Sequence, residues 1–169
     1  MKSFFNPTFN AKDGMLKPGD KAPEFTLFSD AKQEVSLSDY SGKNVLLLFF
    51  PMAFSSVCTQ ELCSMRDNLG AYSAVNAEVV AVSVDSPFTL AKFKQDQGLN
   101  FPLLSDFNKE VSRAYGSLFE DFVMGMKGVS RRAAFIIDGQ GVIRYAEVLD
   151  SAASLPNFEN ILSTLQTLN

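Results

Sequence analysis

Residues 45–50, VLLLFF, are apolar at every position, the pattern of a strand covered on both faces as in a parallel sheet. Residues 78–84 predict a second buried strand. Residues 133–137 and 142–145 predict two more, joined across Asp138-Gly139-Gln140-Gly141, a hairpin signal. Ahead of them, 24–28 and 34–37 alternate as strands do, with Ser29-Asp30-Ala31-Lys32 as the turn of a leading hairpin. Residues 38–43 read as a loop or a single helical turn. Residues 101–104 predict a short strand.

Between the strands the period changes to that of a helix. Over residues 57–72, Cys58, Leu62, Met65, Leu69 and Tyr72 recur at steps of four and three, which makes one apolar stripe. Ser86-Pro87 is an N-cap followed by proline at the first helical position. The helix it opens runs to about residue 97 with Leu90 and Phe93 inward, and Gly98 stops it. Asp106 caps a short helix ending at Tyr115-Gly116. Phe158, Ile161, Leu162, Leu165 and Leu168 mark an amphipathic C-terminal helix. Residues 117–130 show no clear regular structure, yet Phe119, Phe122, Val123, Met124 and Met126 are too many apolar groups for a solvated loop. They predict a loop folded onto the core or, alternatively, the wall of an apolar pocket or a subunit contact. After the hairpin the order is β-α-β-α-β-α-β-β-α. It predicts an α/β fold with a mixed central sheet flanked by helices on both faces. Residues 1–19 carry no period; residues 1–15 are read as an N-terminal arm and 16–169 as the folded domain.

Composition narrows the function. At 169 residues, 46% apolar and 20% charged, the chain is long enough for one domain with a full core. A net charge of -4 without a basic cluster argues against nucleic acid or an anionic membrane as partner. The first twenty residues lack the apolar region of a secretory signal, and no run is long enough to span a membrane. The expectation is a soluble, cytoplasmic protein. There is no histidine, which excludes Ser-His-Asp and Cys-His catalysis and His-ligated metals. Two cysteines cannot build a structural zinc site, so neither metal nor other cofactor is expected.

Those two cysteines, Cys58 and Cys63, lie in the predicted helix after the first buried strand. Cys58 is at its mouth, where backbone N–H groups and the helix dipole favour the thiolate. A strand-to-helix turn at the carboxyl end of a sheet strand is also where open α/β sheets place their sites. Pro51 and Ser55 precede Cys58 in the spacing P-x3-S-x2-C, and Glu61 follows it. Each residue has a plainer reading: Cys58 as a small buried hydrophobe, Ser55 and Glu61 as an N-cap with an acidic first turn, Arg132 as a surface strand cation. Cys63 falls off the apolar stripe, so one cysteine is expected to face inward and the other outward.

The segment PMAFSSVC resembles the active-site loop of the peroxiredoxins, P-x3-T/S-x2-C. CTQELCSMRD resembles the helix of the peroxiredoxin Q and alkyl hydroperoxide reductase E branches, and SRRAAFIIDGQGVIR their arginine-bearing strand and hairpin. The likeness runs in consistent order over about residues 16–168. It implies a thioredoxin-like fold and a thiol-dependent peroxidase acting on hydrogen peroxide and alkyl hydroperoxides. Cys58 then matches the peroxidatic cysteine, which attacks the O–O bond and becomes a sulfenic acid. Pro51 matches the residue that shields the thiolate. Ser55 stands where the family has threonine and keeps the hydroxyl that bonds thiolate and peroxide. Arg132, three residues before Phe135, matches the arginine of the R-x-x-F strand, and Glu61 the carboxylate that positions it. Arg131 is expected on the opposite sheet face.

The C-x4-C spacing of Cys58 and Cys63 resembles the peroxiredoxin Q arrangement, in which the second cysteine resolves the sulfenic acid as an intramolecular disulfide. Five residues apart on an intact α-helix, Cα atoms are roughly 8–9 Å apart, whereas a disulfide needs about 7 Å or less. Joining them therefore requires the first turns to unwind. The alternative is a spectator Cys63 in an enzyme resolved by an external thiol. The implied partners are a thioredoxin- or glutaredoxin-like reductant and a second copy in a homodimer. Two rival functions share the architecture. A thioredoxin-type thiol–disulfide oxidoreductase would carry C-x2-C and a proline before the strand at 133, and this chain has neither. A non-catalytic thioredoxin-fold binding module would need no poised thiol.

Overall fold

The computed structural model describes residues 15–168; the arm expected at 1–15 lies almost wholly outside the described residues. The leading hairpin is β1 (Thr26–Ser29) with β2 (Glu34–Ser36), and a single 3-10 turn follows at Leu37–Tyr40. Then come β3 (Asn44–Phe49), α1 (Ser56–Asp67), α2 (Leu69–Ser73), β4 (Ala77–Ser83), α3 (Pro87–Gln97), β5 (Leu103–Ser105) and α4 (Glu110–Ala114). The chain continues through β6 (Leu118–Asp121), β7 (Lys127–Ser130), β8 (Ala133–Ile137), β9 (Ile143–Val148) and α5 (Phe158–Thr167). Seven strands form one sheet in the order β2-β1-β5-β4-β3-β8-β9. β3 and β5 both run parallel to β4, and the other pairs are antiparallel. The sheet is mixed, as the element order predicts, and the leading hairpin extends one edge.

β3 lies near the middle of that sheet, between β4 and β8, and all six of its residues are buried. Alternation sends Leu46, Leu48 and Phe50 to one face, where they meet Leu62 and Met65 of α1, Leu90 and Phe93 of α3, and Ile161 and Leu165 of α5. Val45, Leu47 and Phe49 face the other way, onto Leu16, Phe25, Val111 and Tyr115. The Tyr115 hydroxyl donates to Pro23 O at 2.7 Å, tying the chain before β1 to α4.

Two expectations change. The helix expected over 57–72 breaks at Asn68 (φ -112°, ψ 10°), which ends α1 and begins α2. The cause is local: the Asn68 side chain donates to Ser64 O at 2.8 Å, competing with helix continuation as short polar side chains do. Residues 117–130 are not a loop on the core. They form the antiparallel hairpin β6–β7 around a tight turn at Val123–Gly125, with Met124 at φ 57°. Phe119 and Phe122 stack on each other at 5.3 Å, while Val123 and Met124 are exposed. Too few residues alternate here for the period to show in sequence.

Gly139 packs backbone to backbone against the turn before β3. It accepts a hydrogen bond from Gly42 N at 2.9 Å, and a Cβ on it would lie 2.8 Å from the Gly42 carbonyl carbon. A Cβ on Gly70, in α2, would meet nothing within 4 Å. Gly139→Ala is therefore expected to destabilise the fold by about 1–3 kcal/mol through overpacking. Gly70→Ala should leave it unchanged or stabilise it by up to about 1 kcal/mol. Thermal unfolding of the two variants checks both.

Candidate active site

β3 ends at Phe49, and the chain turns through Pro51, Met52, Ala53 and Phe54 before Ser55 caps α1. Phe54 sits in the left-handed region at φ 68°, with its exposed ring edge-on to Phe93 of α3 at 5.1 Å. Pro51 is buried. Cys58 is the third residue of α1, in its first turn, and only 1% of it is exposed. Glu61 follows at i+3, the spacing that places two side chains on one helical face, and it is fully buried.

Arg132 lies between β7 and β8, where the chain passes from the small hairpin to the main sheet. Its parity matches Ala134 and Ile136, which face α1. It too is only 1% exposed. Nη2 donates to Cys58 Sγ at 3.1 Å and to Ala152 O at 2.9 Å, and Nη1 donates to Glu61 Oε2 in a buried ion pair. One guanidinium thus joins the sulfur, the carboxylate and the loop after β9. Arg131 takes the opposite course, as expected: it pairs with Asp150 at 3.2 Å and lies over the Phe119 ring.

Burial sets the electrostatics. Desolvation pushes the Glu61 carboxyl up to about 7, against the pull of Arg132. Burial also works against the charge of Arg132, but Glu61 and Cys58 outweigh it and hold the guanidinium above its ordinary value. Glu61 Oε1 and Arg132 Nε are buried with no hydrogen-bond partner among the described residues. Among the described residues no cluster of metal-binding side chains occurs.

Cys58, Glu61 and Arg132 come together in this way, and Pro51 and Ser55 lie on the loop that leads into α1. The Ser55 hydroxyl donates to Met52 O at 2.9 Å and makes no bond to Cys58; it stiffens the loop. Cys63 is half-buried against the core, not fully outward, and its thiol reaches Gln97 Oε1 of α3 at 3.5 Å. Arg66, one turn on, donates to Gln97 O. Both cysteines are free, and α1 is unbroken between them. Asp85, which the motif reading missed, accepts from Ala53 N–H in the middle of the loop at 2.8 Å. Its signal was position: it follows β4, the parallel neighbour of β3, at the same sheet end.

Comparison with known proteins places the chain in a family. The AhpC/TSA family matches the chain over residues 18–146. The chain is 42% identical over 137 residues to alkyl hydroperoxide reductase E of Mycobacterium tuberculosis, covering 79% of this chain and 86% of that protein. It is 44% identical over 138 residues to a second protein of that organism named as a peroxiredoxin, covering 80% and 87%. Among solved structures, peroxidoxin BcpB from M. tuberculosis superposes with a TM-score of 0.80 at 27% identity, over 92% of this chain and 99% of that one.

The buried carboxyl of Glu61 gives stability a pH dependence of known sign. Unfolded, Glu61 ionises near 4.5; folded, near 7. Between these values the folded chain holds a proton that the unfolded chain has released. The stability present below 4.5 is therefore lost as pH rises through 7. Urea denaturation at about pH 5 and about pH 8 should show wild type losing about 2 kcal/mol more than Glu61→Gln over that interval.

Proposed function

The chain belongs to the AhpC/TSA family and is a thiol-dependent peroxidase, and we propose that Cys58 is its peroxidatic cysteine. The observation that carries this reading is the Arg132 N–H aimed at Cys58 Sγ at 3.1 Å in the first turn of α1. A charge-assisted bond of this kind is strongest when the sulfur is a thiolate. The thiolate attacks one peroxide oxygen, the O–O bond breaks, and the leaving oxygen takes a proton to depart as water or an alcohol. Cys58 is left as a sulfenic acid. Charge grows on the leaving oxygen in that step, and Arg132 is the fixed cation beside it. Glu61 holds Arg132 by its other nitrogen, Pro51 keeps water from the sulfur, and Ser55 offers its oxygen to the incoming peroxide.

Cys63 then attacks the sulfenic sulfur, releasing water and forming a Cys58–Cys63 disulfide, once the first turns of α1 have unwound. Two electrons from a thioredoxin- or glutaredoxin-like dithiol restore both thiols. Substrates are hydrogen peroxide and alkyl hydroperoxides; Phe54, half exposed one residue before Ser55, offers an alkyl tail an apolar surface. We also infer a homodimer through loops near the site, a reading supported by exposed Phe54 and Phe88 at that end. Among the described residues no helix is long and apolar enough to cross a membrane, which fits a cytoplasmic location.

Intact mass after one equivalent of hydrogen peroxide tests the cycle. Wild type should lose two mass units as the disulfide forms, and Cys63→Ser should gain one oxygen. Cys58→Ser should do neither, and oxidation of that variant at the wild-type rate would remove Cys58 from its role. Undiminished thioredoxin-driven turnover by Cys63→Ser would defeat resolution by Cys63. Arg132→Lys should lower the second-order rate constant for peroxide by roughly a hundredfold, since a single ammonium nitrogen cannot span acceptors that the guanidinium holds from two separate nitrogens. Stopped-flow peroxide consumption measures it.

A further inference from the structure

The loop 51–55 has to hold a conformation it does not favour. At φ 68° Phe54 has a left-handed backbone that costs a residue with a Cβ about 1–2 kcal/mol. Strain of that kind persists only where the surroundings over-determine it. Within the loop Ser55 Oγ donates to Met52 O, and at its end Ser55 O accepts from Thr59 N–H and Oγ1, the first bonds of α1. Ala53 packs into the core and the Phe54 ring lies against Phe93 of α3. A further restraint comes from the sheet. The Asp85 carboxylate accepts Ala53 N–H at 2.8 Å, on the same Oδ2 that accepts the Ser83 hydroxyl at 2.6 Å.

Asp85 is itself firmly held. Its own N–H donates to Ser83 Oγ at 3.2 Å, and its carbonyl accepts from Ser105 Oγ at 2.6 Å. Ser83 is fully buried, and Ser83 and Ser105 are register partners in the parallel pair β4–β5. Asp85 is thus anchored to the ends of two sheet strands, by its carboxylate to Ser83 and by its carbonyl to Ser105, and it presents the carboxylate to a backbone N–H of the loop that carries Ser55 and leads into Cys58.

We propose that Asp85 is a positioning residue for peroxide reduction, acting through Ala53 N–H to hold the 51–55 loop in register with Arg132. The proposal rests on the reading of Cys58 as peroxidatic. Asp85 touches neither Cys58 nor Arg132, and it works as a hydrogen-bond acceptor and not as a charge. Because one oxygen takes both bonds, the amide oxygen of asparagine can replace it.

Two rates on the same protein test this: sulfenic acid formation with hydrogen peroxide, and alkylation of Cys58 by iodoacetamide in a Cys63→Ser background. Peroxide needs the aligned loop, whereas alkylation needs only the sulfur. Asp85→Ala, shown by circular dichroism to be folded at the assay temperature, should lose roughly a hundredfold in the peroxide rate. Its alkylation should be unchanged or faster. Asp85→Asn should return the peroxide rate to within about fivefold of wild type, as acceptance through one oxygen requires. Overturning results are a folded Asp85→Ala with an undiminished peroxide rate, equal losses in both rates, or an asparagine variant as slow as alanine. If Asp85→Ala does not fold, Ser83→Ala decides: it should slow peroxide attack and spare alkylation, and a wild-type peroxide rate there overturns the proposal. A wild-type chain that forms no sulfenic acid defeats the peroxidatic reading itself, and the proposal with it.

Discussion

A guanidinium sealed from water has to be surrounded by acceptors, because moving such a charge into the interior costs several kcal/mol unless it is paired. Arg132 meets that condition at its two terminal nitrogens, with Cys58, Glu61 and the carbonyl of Ala152, while Nε has no partner among the described residues. The arrangement fixes three otherwise separate pieces: the first turn of α1, the start of β8 and the loop after β9. It also couples chemistry to structure. In the cycle we propose, oxidation of Cys58 to a sulfenic acid changes the acceptor that Arg132 Nη2 holds, and turnover by that cycle would weaken one of the ties on the first turn of α1.

How α1 answers depends on its other attachments. Cys63 and Arg66 both reach Gln97, at the end of α3, where Gly98 at φ 60° lets the chain turn away. The helix is thus held at its start through Cys58 and further along through Gln97. Cys63 belongs to the second attachment, so in the cycle we propose it would have to leave Gln97 before meeting Cys58, and that release would stand between the sulfenic acid and the disulfide.

Much of this was legible in the residues. β3 announced itself through six apolar positions, and α3 through Ser86-Pro87 and Gly98. Cys58, its loop and Arg132, which meets it in the fold, stood at readable spacings. The rest depended on contacts between segments far apart in sequence. Nothing local marks Ala152 as a backbone acceptor for Arg132, or Gln97 as the partner of Cys63. Asp85 looks in sequence like an ordinary turn residue after a strand, and only the parallel pairing of β3 with β4 brings it beside the loop. The β6–β7 hairpin stayed hidden for another reason: its large apolar groups pack on each other or stand in solvent, so the usual link between hydrophobicity and core position fails there.

The break at Asn68 bears on how far a local opening can spread. Unwinding travels along a helix only as far as its hydrogen-bond ladder is continuous, and stability in a folded chain divides into units at such interruptions. Had α1 run unbroken to Tyr72, melting its first turns would have put strain on the residues that seal the base of the sheet. With the ladder cut at Asn68, Tyr72 stays docked on the core while the segment before it rearranges. In the cycle we propose, the asparagine would serve as a fuse: the unwinding that brings Cys58 to Cys63 would stay within the twelve residues of α1 and spare the rest of the domain.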